Sequence, residues 1–170
     1  HVIDRSIASK NASDIVVLTT ISKNDIDIVK NCSNKNVRVF CGSEEDVLDR
    51  YYQAAKIIKP DNIIRITADC PLIDPDIIDK TIEIHCKHDA EYTTNTLERT
   101  FPDGEDVEVM KFEVLKKAWK EARLKSEREH VTPYIRKNKD KFDIYGWKNE
   151  KNLSEKRWTL DEPEDYKFMK

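Results

Sequence analysis

Three times in succession along the chain, a short β-branched segment is followed by a longer amphipathic one. The short segments are continuous apolar runs, which are typical of strands covered on both faces, as in a parallel sheet. They span residues 14–19, 37–40 and 62–67, and the helical segments that follow them span residues 22–31, 47–58 and 74–84. Strands and helices in regular alternation predict an open, mostly parallel sheet with helices on both faces. We therefore expect an α/β fold in three layers, α/β/α.

The second half of the chain departs from this alternation. Residues 91–94 and 106–110 are predicted strands, and the second alternates polar and apolar side chains as a half-exposed antiparallel strand does. Turn-forming residues at 101–104 separate them, so residues 91–111 are expected to form a small antiparallel arm. Further predicted elements are a helix near the start of the chain, helices at 112–123 and 127–139 with an interruption at Pro133, strands at 142–147 and 156–159, and a helix from Pro163.

Size, charge and cysteine content exclude several classes of protein. A chain of 170 residues has the size of one domain, which we expect to span residues 1–170. Its 30 basic and 33 acidic residues give no basic surface that would favour nucleic acid or an anionic membrane. No apolar run reaches the ~18–20 residues needed to cross a bilayer, and no secretory signal is visible, so a cytoplasmic protein is expected. The four cysteines lack a C-x-x-C pair and lie in predicted helices or strands, which favours buried, reduced thiols over disulfides or a zinc site.

Two acidic residues follow predicted strands at the places where ligands bind in open α/β sheets. Asp69 follows the third predicted strand, and Asp161 follows the last one. If they converge, their carboxylates could hold a magnesium ion together with substrate phosphates, because magnesium usually takes one or two carboxylates plus phosphate oxygens. The spacing is equally typical of a turn at Asp69 and of helix N-caps at Ser43, Asp74 and Asp161. Both interpretations stay open at this point.

Five segments, in order along nearly the whole chain, resemble the successive motifs of the spore coat polysaccharide cytidylyltransferase family, which is related to enzymes that make CMP-activated acidic sugars. They are Cys41–Tyr52, Arg65–Asp74, Phe101–Val109, Glu127–Ile135 and Thr159–Tyr166. The resemblance implies the fold of nucleotide-diphospho-sugar transferases, in agreement with the alternation above. It also implies transfer of CMP from CTP to a sugar, expected to be acidic, with release of pyrophosphate in the synthesis of a surface polysaccharide or glycan. Family members usually dimerise through the arm after the sheet, so a homodimer is implied.

The resemblance also carries site residues over to this sequence. Catalytic and magnesium-binding positions match Asp69 and Asp161. Positions near the nucleotide match Ser43, Asp49, Arg50, Thr67 and Ala68. Positions of the acceptor sugar pocket match Asn95, Asp106, Glu127, Arg128 and His130. The cofactor implied is Mg²⁺, and the partners implied are CTP and a sugar, with no nucleic acid and no membrane.

Three of these residues have a structural interpretation beside the functional one. Arg128 could form a bidentate hydrogen bond with a substrate carboxylate, or a salt bridge with a neighbouring acid. Arg50 could contact the triphosphate or pair with Asp46 one helical turn earlier. His130 could act as a general base, although a single histidine in a charged helical segment is more often a hydrogen-bonding or surface residue.

The sequence departs from the family pattern at its amino terminus. The relatives begin with an apolar strand and a loop carrying Gly, Arg and Lys that surrounds the triphosphate, and no counterpart precedes His1. We therefore expect the chain to be incomplete at this end. The departure favours an alternative function, a non-catalytic nucleotide-binding or interaction module of the same fold. A receiver-like signalling domain fits less well, because a receiver needs an acidic pair after its first strand.

Overall fold

The computed structural model describes residues 1–169, and the chain divides into two compact units. The first unit combines His1–Ser13, Ile64–Met110 and the chain from Ile144 onward. The second unit combines Asp14–Ile63 and Lys111–Asp143. Both units are thus assembled from segments that lie far apart in the sequence. The expectation of one domain over residues 1–170 stays a prediction.

Helices and strands follow the predicted order. The helices are α1 Val2–Ile7, α2 Ile26–Asn34, α3 Val47–Ile58, α4 Pro75–His88, α5 Phe112–Glu121, α6 Lys125–His130, α7 Pro133–Lys137 and α8 Pro163–Phe168, and a short 3₁₀ turn spans Lys23–Asp25. The strands are β1 Val16–Thr20, β2 Arg38–Gly42, β3 Asn62–Arg65, β4 Tyr92–Thr94, β5 Glu108–Lys111 and β6 Ile144–Gly146. The predicted α/β class is confirmed, and hydrogen bonding divides the described strands into a parallel pair and a four-stranded mixed sheet.

In the second unit, β1 and β2 pair in parallel, with Leu18 opposite Phe40. The helix that follows β2 spans Val47–Ile58, the predicted range, but its N-cap is not the predicted residue. Its N-cap is Asp46, whose carboxylate accepts a hydrogen bond from the Asp49 amide at 2.9 Å. The prediction of Ser43 as the N-cap is therefore wrong, because the Ser43 hydroxyl accepts from the Asp46 amide at 3.0 Å, in the turn before the helix.

The helices of the second unit pack through aromatic side chains. Tyr52 on α3 is buried, and its ring stacks on Trp119 of α5 with 4.1 Å between centroids. Phe112, at the start of α5, lies 6.0 Å from the same ring. Leu48 and Leu115, on the same two helices, are fully buried. Leu48, Tyr52 and Leu115 are part of the core, and the half-buried rings of Phe112 and Trp119 stack against Tyr52 on the apolar faces of the two helices.

In the first unit, strand order is β3-β5-β4-β6. The pairing of β4 with β5 is antiparallel, which confirms the predicted antiparallel arm, and that of β4 with β6 is parallel. The core contains the buried side chains of Cys70, Ile73, Ile78, Ile82, Val107 and Val109.

Two predictions for the first unit differ from the structure. Strand β5 was expected to be half-exposed, but Glu108 is 3% exposed and contacts both Arg65 and Tyr92, so the polar side of the strand is buried as well. Residues 156–159 form no strand, because their pairing is limited to a single bridge between Asp103 and Arg157.

All four cysteines are free. Cys32 and Cys70 are buried as predicted, whereas Cys41 and Cys86 are exposed, so the prediction of burial is wrong for these two. None of the helices in residues 1–169 has both the length and the hydropathy that crossing a membrane requires.

Candidate active site

The first unit brings the segments of Asp69 and Asp161 together. Asp69 lies in the turn after β3, where the Cys70 amide donates to the Thr67 carbonyl at 3.4 Å. The amide of Leu160 donates to the carbonyl of Asp69 at 2.8 Å. Asp161 is the next residue, so two acids that are far apart in the sequence stand on adjoining backbone segments of one unit. Asp69 is half-buried and Asp161 is exposed, so solvent reaches both.

The turn of Asp69 is held by its own side chains. The Thr67 hydroxyl lies 3.1 Å from the Cys70 sulfur, which in turn lies 3.5 Å from an oxygen of Asp69. Burial raises the pKa of the Cys70 thiol to about 12, so the sulfur stays protonated and is not a nucleophile. Ala68, between Thr67 and Asp69, is exposed at the tip of the turn.

Asp161 belongs to a cluster of charged groups. Arg157 donates to Oδ2 of Asp161 at 2.8 Å and to both oxygens of Asp165 at 2.6 and 3.0 Å. The Glu162 amide, Arg157 and the Asp161 amide together lower the pKa of Asp165 to about 2. The N-cap of α8 is Glu162, so the interpretation of Asp161 as a helix N-cap is wrong.

The prediction of Asp74 as a helix N-cap is confirmed. Its carboxylate accepts from the Asp76 amide at 2.9 Å at the start of α4, and Pro75 takes the first helical position. Asp74 therefore acts as the structural cap that its spacing suggests.

The donor set at Asp69 and Asp161 fits magnesium and does not fit a closed metal site. Within residues 1–169, no group of three or more His, Cys, Asp or Glu side chains is arranged to hold a metal ion. Two solvent-accessible carboxylates on adjoining segments match the way magnesium binds, with few protein ligands and with water and substrate phosphates completing the shell. Magnesium at this position stays a proposal.

Thr159 was missed by the sequence prediction of the site. Its side chain is 7% exposed, and its hydroxyl has no hydrogen-bond partner among the described residues. Buried hydroxyls nearly always form a hydrogen bond. The unpaired Thr159 hydroxyl, two positions before Asp161, therefore marks a place where a bound molecule could accept or donate a hydrogen bond. A strand was expected here, and its side-chain alternation gave no sign of an unsatisfied group.

The predicted sugar residues of the first unit have protein partners. Asn95 is 1% exposed, and its amide donates to the Glu105 carbonyl at 2.6 Å and accepts from the Val107 amide at 2.9 Å. It therefore fixes the backbone that leads into β5. Asp106 is partly exposed and lies 3.5 Å from Arg99. Contact of either side chain with a sugar stays a prediction.

Glu105 is a second residue that the sequence prediction missed. Its side chain is 2% exposed and accepts from the Asp74 amide at 2.7 Å. Burial raises its pKa to about 7, with the charges of Asp74 and Asp106 acting in the same direction, while the Asp74 amide and Arg5 oppose the rise. A signal for its burial was present, because Glu105 shares the period-two alternation of Val107 and Val109.

The predicted site residues of the second unit meet at Asp46. Arg128 donates to Oδ2 of Asp46 at 2.9 and 2.6 Å, and to the Trp119 carbonyl at 2.7 Å. Trp119 donates to Asp49 at 2.7 Å. The acid that pairs with Arg128 is therefore Asp46, 82 residues away in sequence, rather than a neighbour on α6. Ser43 joins the same cluster by accepting from the Asp46 amide.

Arg50 is buried without a full set of partners. It is 8% exposed, its Nε has no partner among the described residues, and a long 3.5 Å contact joins Nη1 to the Leu18 carbonyl. The expected side-chain pair with Asp46 is not formed, since Asp46 pairs with Arg128. Asp25 lies within electrostatic reach of Arg50. The hydroxyls of Thr19 and Thr20 and the charge of Arg50 all lower the pKa of Asp25.

Glu127 and His130 lie on α6. Glu127 is 6% exposed and accepts from the Arg123 and Leu124 amides at 3.2 Å, so it caps its own helix. His130 is exposed. The next residue, Val131, has φ +72°, and the Thr132 amide donates to the His130 carbonyl at 2.9 Å across it. This is a tight three-residue turn that β-branched residues rarely adopt, so the surrounding packing must hold it.

Comparison with known proteins gives a family and several relatives. The family model described as cytidylyltransferase matches residues 1–170. A protein of Methanocaldococcus jannaschii named as uncharacterized is 41% identical over 168 residues, which are 98% of this chain and 68% of that protein. Spore coat polysaccharide biosynthesis protein SpsF of Bacillus subtilis is 32% identical over 174 residues, covering 100% of this chain and 71% of that protein.

Solved structures resemble the fold over most of the chain. A cytidylyltransferase from Leptospira borgpetersenii serovar Hardjo-bovis is 37% identical with a TM-score of 0.94, covering 98% of this chain and 71% of that one. The CMP:2-keto-3-deoxy-manno-octonic acid synthetase complexed with CTP is 12% identical with a TM-score of 0.65, covering 88% of this chain and 77% of that one. At that identity the second structure shows the fold alone.

Proposed function

This chain belongs to the cytidylyltransferase family, and on that premise we propose that it transfers CMP from CTP to a sugar and releases pyrophosphate. The observation that supports the proposal is the backbone hydrogen bond from Leu160 to Asp69, since it joins the two chain segments that carry Asp69 and Asp161. The relationship to a spore coat polysaccharide protein supports a sugar acceptor and a role in polysaccharide or glycan synthesis.

The reaction joins a sugar hydroxyl oxygen to the α-phosphorus of CTP and breaks the bond to the β-phosphate oxygen, so that pyrophosphate leaves. Catalysis of this type depends on holding the attacking and leaving oxygens in line while negative charge builds up on the phosphates. A magnesium ion bound by Asp69 and Asp161 would neutralise that charge. The two carboxylates would hold the ion, and the Thr159 hydroxyl, which has no partner among the described residues, is assigned to a phosphate or sugar oxygen within the same proposal.

The remaining predicted residues are assigned within the same proposal. Arg50 is proposed to bind the nucleotide, because a buried guanidinium with an unsatisfied nitrogen is expected to have an anionic partner. The other nucleotide positions are Ser43, Asp49, Thr67 and Ala68, and the sugar positions are Asn95, Asp106, Glu127, Arg128 and His130. Arg128 could bind a sugar carboxylate only if its guanidinium released Asp46. Asp46 and an acidic substrate therefore compete for the same guanidinium nitrogens.

An acidic sugar, CTP as the donor, and a homodimer formed through residues 91–111 complete the proposal. CTP and a keto-acid sugar are the compounds named for the synthetase that shares this fold. Cytosine specificity and dimerisation rest on the family resemblance.

The test is an assay of pyrophosphate release from CTP and magnesium with a panel of acidic and neutral sugars, using the full chain. Asp69→Asn and Asp161→Asn are each expected to lower turnover by at least about 100-fold, because each removes one charge that holds the cation on the triphosphate. The matched control is Asp27→Asn, whose carboxylate on α2 is 91% exposed and far in sequence from both acids. It should leave turnover unchanged.

A binding measurement accompanies the assay. A nucleotide that binds the native state raises the melting temperature, so CTP with magnesium should stabilise the chain more than other nucleotides do. Stabilisation by CTP without turnover on any sugar would instead support the non-catalytic nucleotide-binding module. Normal turnover in Asp69→Asn would refute the assignment of the site.

A further inference from the structure

Arg157 makes a forked contact beside the acid that is proposed to bind magnesium. Its guanidinium donates to Oδ2 of Asp161 at 2.8 Å and to both oxygens of Asp165. We propose that Arg157 is a positioning residue that fixes the carboxylate of Asp161 for the cation, an inference that rests on the proposed function. It acts through Asp161 and is not itself a ligand.

Asp165 makes this arrangement possible because it holds Arg157 more firmly than Asp161 does. Its side chain is 14% exposed against 50% for Asp161, and it takes two of the three hydrogen bonds from the guanidinium. Oδ2 of Asp165 also accepts from the amides of Asp161 and Glu162 at 2.9 and 2.8 Å. The charge of Arg157 is therefore largely compensated by Asp165. Asp161 is oriented by one oxygen and keeps most of its negative charge for a cation.

The backbone around Arg157 is fixed at both ends. On one side, the Asp103 amide donates to the Lys156 carbonyl at 2.9 Å and the Trp158 amide donates to the Asp103 carbonyl at 2.6 Å. On the other side, the Leu160 amide donates to Asp69. A segment fixed in this way holds the guanidinium in one place relative to the turn of Asp69. The pairs that orient metal ligands in proteins have this form, a hydrogen bond from an anchored group to the ligand's second atom.

The direction in which removal of Arg157 changes the affinity for the cation distinguishes a positioning role from an effect of its charge. A positive charge next to a cation site repels the cation, so an Arg157 that acted by its charge alone would weaken metal binding, and its removal would tighten it. An Arg157 that holds the carboxylate in place has the opposite effect, and its removal weakens binding. An ordinary exposed salt bridge would change neither.

The experiment measures the affinity of the full chain for Mn²⁺ in the presence of CTP by electron paramagnetic resonance, a readout that needs no turnover. Arg157→Gln and Arg157→Lys are each expected to raise the dissociation constant of Mn²⁺ by roughly 10- to 100-fold. The lysine variant is not rescued because a single ammonium cannot fork onto two carboxylates. Asp165→Asn, which loosens the anchor of Arg157, should shift the constant in the same direction. The control is Arg38→Gln, which removes an exposed arginine at the start of β2 that pairs with Asp14.

Asp69→Asn in the same titration separates this inference from the function on which it rests. No binding of Mn²⁺ by the unchanged protein, or unchanged binding in Asp69→Asn, overturns the proposed metal site and the role of Arg157 with it. Weaker binding in Asp69→Asn together with unchanged or tighter binding in Arg157→Gln overturns the role of Arg157 alone. Full affinity in Arg157→Lys does the same, because the forked contact of the guanidinium with two carboxylates would then be unnecessary for holding Asp161 in place. Thermal unfolding without metal should be alike in the Arg157 variants and the unchanged protein.

Discussion

The turn at Gly104 gives the sharpest prediction about stability. Gly104 has φ +104°, a conformation that residues with a Cβ avoid. A Cβ built there would lie 2.7 Å from the carbonyl carbon of Trp158, 2.8 Å from its oxygen and 3.0 Å from the amide nitrogen of Thr159. All three are backbone atoms, so no side chain can rotate away to make room. Gly104→Ala must therefore displace the segment that carries Arg157 and Asp161.

Two contributions set the size of the effect. Holding alanine at this φ costs about 1–3 kcal/mol. Displacing the segment also weakens the two hydrogen bonds between Asp103 and residues 156 and 158, at about 1 kcal/mol each. The free energy of unfolding should therefore fall by about 3–5 kcal/mol. For a chain of this length, each kcal/mol lowers the melting temperature by roughly 2–4 °C, so a drop of about 10 °C is expected.

The assay is thermal unfolding followed by circular dichroism, with Gly146→Ala as the matched control. A Cβ at Gly146 would lie 2.8 Å from Cδ1 of Leu97, the far end of a side chain that is 37% exposed and can rotate away. It would also lie 3.1 Å from Cβ of Leu97, a contact that a small shift relieves. That substitution should cost less than about 1 kcal/mol. Equal melting temperatures for the two variants would show that the contact of Gly104 with Trp158 does not constrain the turn.

Two further predictions concern buried carboxylates. The pKa of Glu105 is raised to about 7 in the folded protein, so the folded state binds an extra proton between about pH 4.5 and 7. The contribution of Glu105 to stability is therefore full below that range and is lost as the pH rises through 7. In urea titrations at pH 5 and 8, Glu105→Gln should remove this decline in stability, which is worth up to about 3 kcal/mol. The pKa of Asp79 is lowered, because hydrogen bonds from Ser9, Lys10 and Asn11 outweigh its desolvation. Its contribution to stability is therefore present at neutral pH and is lost as the pH falls through its folded pKa. Asp79→Asn should cost about 2 kcal/mol at pH 7, and a cost that does not shrink in urea titrations at successively more acidic pH would contradict the role of its charge.

The order and type of the elements could be predicted because the signals are local. The β-branched runs at 14–19, 37–40 and 62–67 became β1, β2 and β3, each shifted or shortened by one or two residues at its ends. The interruption at Pro133 separates α6 from α7, because proline cannot continue the preceding turn. The N-cap of α3 was predicted wrongly because two neighbouring side chains could take that role. Ser43 and Asp46 are both good N-cap residues, and only the geometry of the loop decides between them.

The candidate site could be predicted only in part. The resemblance selected Asp69 and Asp161, and the backbone contact between their segments depends on residues 103–104 and 156–160, whose pairing leaves no periodicity in the sequence. Arg128 and Asp46 are 82 residues apart, and no local pattern specifies such a pair. The turn at Val131 could not be predicted for another reason. Valine strongly disfavours a positive φ, so its backbone preference argues against such a turn at this position.

The contact of Glu108 with Arg65 and Tyr92 has a consequence for how the four-stranded sheet assembles. Glu108 lies on β5, the strand that hydrogen bonding places between β3, which carries Arg65, and β4, which carries Tyr92. Sliding β5 along either neighbour would leave a charged group enclosed without its counterpart, at a cost of about 3–5 kcal/mol. Apolar contacts alone would tolerate such a slip, because valine and methionine fill space in several alignments. The ion pair and the phenol thus select one alignment of three strands out of the several that hydrophobic contacts would accept.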